Sequence, residues 1–154
     1  MADAVSPGKF LVGFFGSEAH VEESFAMGLE AAGDTVLDRV LLTQMAAGLR
    51  QAFEGKLSEA RPGDALGIVE THTVPAAILS ADAALKGADV MLVDLHLATG
   101  IGGKAYHFVS GMLADVEAAI DASVHAIAAP LLARTEVIAR PHQSLHRRAL
   151  PLFR

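Results

Sequence analysis

The 154-residue sequence predicts a mixed α/β (α+β) fold, because short apolar segments typical of buried strands alternate with amphipathic segments typical of helices. Hydrophobic residues make up 52% of the chain and charged residues only 19%, a composition that excludes a disordered protein. The chain has no Trp and one Tyr, so its apolar side chains are mainly Ala, Leu and Val. Helices rich in small side chains can pack close to a sheet, and the length allows one ordinary domain or two small ones.

The N-terminal third contains two strand–helix pairs. A Phe-rich apolar run bounded by glycines predicts a strand over 8–16. A helix is predicted over 18–32, because four apolar residues recur on one face at spacings of four, four and three: Val21, Phe25, Leu29 and Ala32. A second strand at 38–43 and a short helix at 48–59 follow.

The clearest break in the chain is Arg61-Pro62-Gly63-Asp64, which is typical of a turn or linker. After it the alternation resumes, and Thr73 and Pro75 predict the start of a helix as its N-cap and first-turn residue. The predicted elements are, in order, a strand at 65–70, a helix at 73–86, a strand at 90–97, a Gly-rich loop at 99–104, a strand at 105–110, a helix at 113–126 and a strand at 135–139.

A shift of 95 residues aligns the first part of the sequence with the second part without gaps. The matched residues include Gly8-Lys9 with Gly103-Lys104, and Gly16 with Gly111. The first copy lacks a counterpart to about 31 residues of the second, so either the chain starts late relative to an intact ancestor or its first unit is a half-domain. The predicted organisation is an incomplete strand–helix–strand repeat at 1–60, a linker at 61–64, a complete repeat at 65–148 and a tail at 149–154.

Three segments of the second copy resemble the bacterial microcompartment (BMC) shell domain: ALGIVET at 65–71, ADAALK at 81–86 and IARPH at 138–142. The resemblance covers essentially all of 65–148, and 5–55 looks like the second half of a preceding copy. Two copies per chain are typical of the tandem, trimer-forming class. The closest resemblance is to the propanediol-utilisation pore type, through SPGK at 6–9 and GIGGK at 100–104.

The resemblance implies a ferredoxin-like sheet backed by helices, and a structural role without catalysis. Three chains would form a pseudo-hexameric tile, which joins other shell proteins around a cytoplasmic compartment and has a central pore for small polar metabolites. Glycine allows several backbones to converge on such an axis. The implied pore-loop residues are Ser6, Pro7, Gly8, Thr99, Gly100, Ile101, Gly102, Gly103 and Lys104.

The resemblance also implies tile-edge contacts by Lys86, Arg140 and His142. The alternative for Lys86 is a solvated lysine at a helix end, and for the other two it is a basic tail after a strand. Propanediol-type members carry a cluster-binding Cys directly before Pro-Gly-Lys, where this chain has Ser6. An alkoxide is a poor iron ligand beside a thiolate, so we expect no iron–sulfur cluster, no metal and no other cofactor.

The charge balance and the absence of Cys exclude further classes of function. The net charge is −6, and no run rich in Lys or Arg precedes the C-terminal tail, so we expect no nucleic-acid partner. Without Cys the chain has no thiol nucleophile and no disulfide. No apolar run reaches the roughly 20 residues of a membrane helix, and the N-terminus does not resemble a signal peptide, so we expect a cytoplasmic protein without a membrane partner.

Two rival functions use the same residues differently. A ferredoxin-like regulatory or small-ligand-binding protein would use the Gly-rich loop at 99–104 to hold its ligand. An enzyme would need a polar cleft inside one protomer, and no Ser/His/Asp arrangement in the sequence indicates catalytic residues.

Overall fold

The computed structural model describes residues 2–142 and Leu145. Within them it contains six strands and four α-helices. The strands are β1 (Ala2–Ser6), β2 (Lys9–Val12), β3 (Ala65–Thr71), β4 (Met91–Leu97), β5 (Ala105–Gly111) and β6 (Leu132–Ile138). The helices are α1 (Glu18–Ala32), α2 (Ala47–Phe53), α3 (Val74–Gly87) and α4 (Leu113–His125), with short 3-10 turns at Gly33–Thr35 and Ala129–Leu131.

Strands β3 to β6 form an antiparallel sheet in the order β4-β5-β3-β6. The elements follow the chain as β3-α3-β4-β5-α4-β6, so the central strands are the first and third of this unit. Helices α3 and α4 pack against each other and against the sheet. The predicted ferredoxin-like sheet backed by helices is therefore confirmed.

Small residues allow the helices to approach the sheet closely. Gly67 lies on β3 beneath α4, and a Cβ added there would sit 2.8 Å from Val116 Cγ1. Helix α3 contributes three fully buried alanines to the core: Ala77, Ala81 and Ala84. Thr73 caps this helix as predicted, because its hydroxyl oxygen accepts a hydrogen bond of 3.3 Å from the backbone N–H of Ala76.

The N-terminal part differs from its sequence-based prediction in its strands. The predicted strand 8–16 is shortened to β2, which pairs with the unpredicted β1 in a hairpin. The predicted strand 38–43 is wrong, because that segment is irregular and pairs with no other strand in the described part of the chain. Asp38 in this segment instead accepts hydrogen bonds from the Thr73 hydroxyl and, at 2.8 Å, from the N–H of Arg39.

Helix α2 attaches the N-terminal part to the sheet-and-helix unit. Leu49 on α2 is fully buried in the shared core, whereas α1 has no buried residue. The N–H of Ser58 donates to the Leu92 carbonyl on edge strand β4 at 3.2 Å. The predicted helix 48–59 is therefore shorter than expected, because the chain leaves α2 near Gly55, whose φ is +77°, and runs along β4.

The predicted break at 61–64 is a turn, in which the N–H of Asp64 donates to the Arg61 carbonyl at 3.1 Å. Among the described helices, none is long and apolar enough to cross a membrane. The predicted tail at 149–154 lies outside the described residues, as does the end of the predicted repeat beyond 142, apart from Leu145.

Candidate functional site

The loop between β4 and β5 has an unusual backbone. Gly100, Gly102 and Gly103 have φ values of +78°, +69° and +88°, in the left-handed region that favours glycine. Ala98, which starts the loop, is the one non-glycine residue with positive φ in the described part of the chain, at +68°. The path of this loop therefore favours glycine at these three positions. The loop exposes Thr99, Gly100, Ile101 and Gly102.

A buried histidine holds the start of this loop. His96, near the end of β4, places Nε2 2.8 Å from the Thr99 carbonyl oxygen. Because a carbonyl only accepts hydrogen bonds, Nε2 of His96 carries a proton in this contact. The ring also stacks on Tyr106, with centroids 5.0 Å apart and an angle of 15° between planes. His96 has no sequence signal as a site residue, because its contact with Thr99 depends on how the loop turns.

The N-terminal hairpin meets the same loop. Lys9 Nζ donates a hydrogen bond of 2.9 Å to the Gly102 carbonyl, although the two residues are 93 positions apart. Ser6 is paired with Lys9 at the end of the hairpin, and Pro7 and Gly8 form its exposed turn. Through Lys9 the structure thus places the end of the hairpin that carries Ser6, Pro7 and Gly8 next to the loop that carries Thr99, Gly100, Ile101, Gly102, Gly103 and Lys104.

Charged and titratable groups surround the base of the loop. Lys104 Nζ lies 3.1 Å from Glu70 Oε1, a partly exposed ion pair that contributes little to stability. Burial raises the pKa of the Asp94 carboxyl, although the Leu95 N–H and the charge of His96 oppose this shift. Burial, and to a smaller extent the Asp94 charge, raises the pKa of Tyr106. Within 2–142 no three His, Asp or Glu side chains are grouped as a metal site would require.

The predicted edge residues lie in two different environments. The Lys86 ammonium donates to Asp82 and to the Gln44 carbonyl, both in its own chain. Asp82 also accepts a 2.7 Å hydrogen bond from the N–H of Ala46. Arg140 and His142 are exposed and follow the end of β6. The structure does not bring Lys86 into hydrogen-bond contact with either of them in the described part of one chain.

Comparisons with known proteins identify relatives over most of the chain. Residues 65–141 match the BMC domain family. The chain is 40% identical over 148 residues to the "Bacterial microcompartment shell protein PduT" of Citrobacter freundii, which spans 96% of this chain and 80% of the relative.

Solved structures of related proteins agree with this match. A microcompartment protein from Desulfitobacterium hafniense superposes with a TM-score of 0.76 at 33% identity, over 86% of this chain and 73% of that one. A fused permuted hexameric shell protein from the RMM microcompartment superposes with a TM-score of 0.53 at 28% identity, over 73% and 62% of the two chains.

Proposed function

This chain belongs to the BMC-domain shell proteins and is a structural component of a microcompartment shell, and from this premise we propose that its two adjacent loops line a pore. The loops are the hairpin turn at 6–8 and the Gly-rich loop at 99–104. The observation that carries the proposal is the hydrogen bond between Lys9 and the Gly102 carbonyl. Loops that share a narrow axis must lie side by side, and this bond holds the two loops of one chain together.

The proposed assembly is a trimer that forms a pseudo-hexameric tile. Each chain contributes a complete repeat at 65–148 and an incomplete repeat at 1–60, and other shell proteins surround the tile. The 95-residue internal repeat supports this arrangement, because an incomplete copy beside the complete one in each chain allows three chains to approximate sixfold symmetry. The compartment lies in the cytoplasm in this proposal.

The proposed pore passes small polar metabolites and catalyses no reaction. Its lining would be formed by the backbone of the glycines together with the hydroxyls of Ser6 and Thr99. Ile101 is 36% exposed at the tip of the Gly-rich loop and adds an apolar side chain. The hydroxyl of Ser6 is a poor iron ligand, which supports a pore without an iron–sulfur cluster.

The proposed tile edges carry Lys86, Arg140 and His142. An ammonium has three N–H donors, and Lys86 uses two of them on Asp82 and Gln44. The third donor and the half-exposed stem remain available to a carbonyl of a neighbouring tile.

A single-cysteine experiment tests the pore directly. The chain has no Cys, so Ile101→Cys would introduce its only thiol. If three copies of the loop surround one axis, a short bis-maleimide will link these thiols between chains. Met112→Cys is the matched control, because Met112 is 73% exposed and lies beyond the opposite end of β5. Equal cross-linking of the two variants would contradict the pore.

The mass of the assembly tests the proposed trimer. Sedimentation should give a species of about 48 kDa for three chains of 16.0 kDa each. A sample that remains monomeric at high protein concentration would rule out the tile, and with it the pore.

A further inference from the structure

Lys9 lies across the Gly-rich loop and occupies the space into which a side chain at 103 would project. A Cβ built on Gly103 would sit 2.5 Å from Lys9 Cδ and 2.7 Å from Lys9 Nζ. Real Cβ atoms essentially never approach other heavy atoms this closely. Gly103 is buried although it lies in a surface loop, and the side chain of Lys9 is what occupies the space beside it.

Lys9 contacts the loop through one hydrogen bond and through packing against Gly103, not through an ion pair. In the described residues Lys9 forms no salt bridge, and the one hydrogen bond of its ammonium goes to the neutral Gly102 carbonyl. Lys104, the other lysine at this site, is paired with Glu70. Lys9 is therefore the residue that joins the N-terminal hairpin to the loop, while Lys104 joins the loop to its own sheet.

We propose that Lys9 is a positioning residue that locks the hairpin turn and the Gly-rich loop into one unit, with Gly103 as the seat of its side chain. Any displacement of the loop tip at Ile101 then displaces the hairpin turn at 6–8 as well. The consequence for a pore rests on the proposed function, because coupled loops would open or narrow the channel together. The coupling itself is a property of one chain and is testable without a pore.

The first test removes the ammonium of Lys9 and keeps its apolar stem. In Lys9→Met, measured on the full-length chain, amide hydrogen exchange in 98–104 should accelerate about fivefold, as expected for loss of one exposed charged hydrogen bond. Exchange in α3 and α4 should not change. The matched control is Lys56→Met, because Lys56 is an exposed lysine of the same N-terminal part whose partner is Glu54. Equal exchange in 98–104 for the two variants would overturn the proposal.

The second test compares two glycines whose backbone has a similar positive φ, at which an added side chain would be strained equally. Gly100 and Gly103 both have positive φ, but a Cβ at Gly100 would meet no atom within 4 Å. Gly103→Ala should therefore accelerate exchange in both 98–104 and 2–12, whereas Gly100→Ala should affect 98–104 alone. In a Lys9→Ala background the difference between the two glycine variants should vanish, because no side chain remains for the added methyl to meet.

The outcomes separate this proposal from the pore. If the difference between the glycine variants persists in Lys9→Ala, Lys9 does not couple the loops and the proposal fails. If the difference vanishes but Ile101→Cys does not cross-link between chains, the coupling stands and the pore fails. Lys9→Arg restores a hydrogen-bond donor on a long side chain that Lys9→Met lacks. Slow exchange in 98–104 of Lys9→Arg would support positioning of the loop by this donor, and exchange as fast as in Lys9→Met would contradict it.

Discussion

Helices α1 and α4 begin 95 residues apart and use the same face, yet only α4 is buried. The buried residues of α4 are Val116, Ala119, Ile120 and Ser123. The residues of α1 at the same positions are only half-buried: Val21, Ser24, Phe25 and Gly28. The apolar period therefore selects which face of each helix turns inward, while the neighbouring elements decide how deeply that face is covered.

The strands that precede these helices show the same contrast. β5 is paired on both sides, by β4 and β3, whereas β2 is paired only with β1 in the described part of the chain. Phe10 and Val12 on β2 are 68% and 53% exposed. An open strand edge with exposed apolar side chains recruits another chain or frays. The two regions thus share the same strand-and-helix sequence pattern, but β5 and α4 are covered by more neighbouring strands and helices than β2 and α1.

The largest expected change in stability comes from a substitution where the two regions meet. Leu49 is the only buried residue in 2–60, and it belongs to the core of the C-terminal region. Leu49→Ala should lower the free energy of unfolding by about 3 kcal/mol, as for other buried leucines. Leu37→Ala is the control, because Leu37 is 75% exposed and should cost less than about 0.5 kcal/mol. Chemical denaturation measures both, and similar costs would show that α2 is not docked on this core.

Amide hydrogen exchange should differ between the N-terminal and C-terminal regions. We expect amides of α1 to exchange roughly a hundredfold faster than those of α4 in an unassembled sample, because α1 lacks buried contacts. Assembly should slow exchange in α1 if neighbouring subunits order 1–60. Equal and strong protection of both helices in a monomer would show that the N-terminal part is self-sufficient and that the repeat alignment is wrong.

Acid should weaken the C-terminal region through His107. This histidine is fully buried on β5, where desolvation lowers its pKa from 6.5 to about 3. Its Nε2 lies 3.0 Å from Ser80 Oγ. Because the Ser80 hydroxyl donates to the Ala77 carbonyl, Nε2 is the donor in this bond and carries a proton.

Between pH 6.5 and 3, His107 is protonated in the unfolded state but stays neutral in the folded state. Stability is therefore complete above pH 6.5 and falls as pH decreases, by roughly 1.4 kcal/mol per pH unit from this group. Urea titrations between pH 7 and 5 should show stability falling with a slope that steepens toward this value as the pH approaches 5, and His107→Gln should reduce that slope. His125→Gln is the control, since His125 is exposed at the end of α4. An unchanged slope in His107→Gln would assign the acid sensitivity to other groups.

The smallest effect on stability is expected at the proposed tile edge. Arg140→Asp should abolish extended sheets in electron micrographs and leave the individual oligomer intact, because Arg140 is exposed after β6. Lys86→Asp should also abolish sheets, but at an additional cost of about 1 kcal/mol, because Asp82 loses its cation inside the chain. Loss of the oligomer in Arg140→Asp would instead assign this residue to assembly of the tile.

Local pattern determined much of this protein from the sequence alone. The apolar runs and periodicities of the C-terminal region predict β3 to β6, α3 and α4 within a few residues, and Thr73 predicts the start of α3. The glycines at 100, 102 and 103 predict the loop that needs positive φ. These features are readable because each depends on residues that are close together in the chain and on a buried face that the same unit covers.

Only the tertiary structure decided which distant groups meet. Lys9 reaches Gly102 across 93 positions, and Lys86 reaches Gln44 across 42. Even the short-range contact of His96 with Thr99 depends on the loop turning back on its strand. The segment 38–43 has the composition of a strand but pairs with no strand in the described residues, and its Asp38 instead accepts a hydrogen bond from Thr73. A strand and a side-chain hydrogen bond both require a partner, and the position of a partner far along the chain is not encoded in the local pattern.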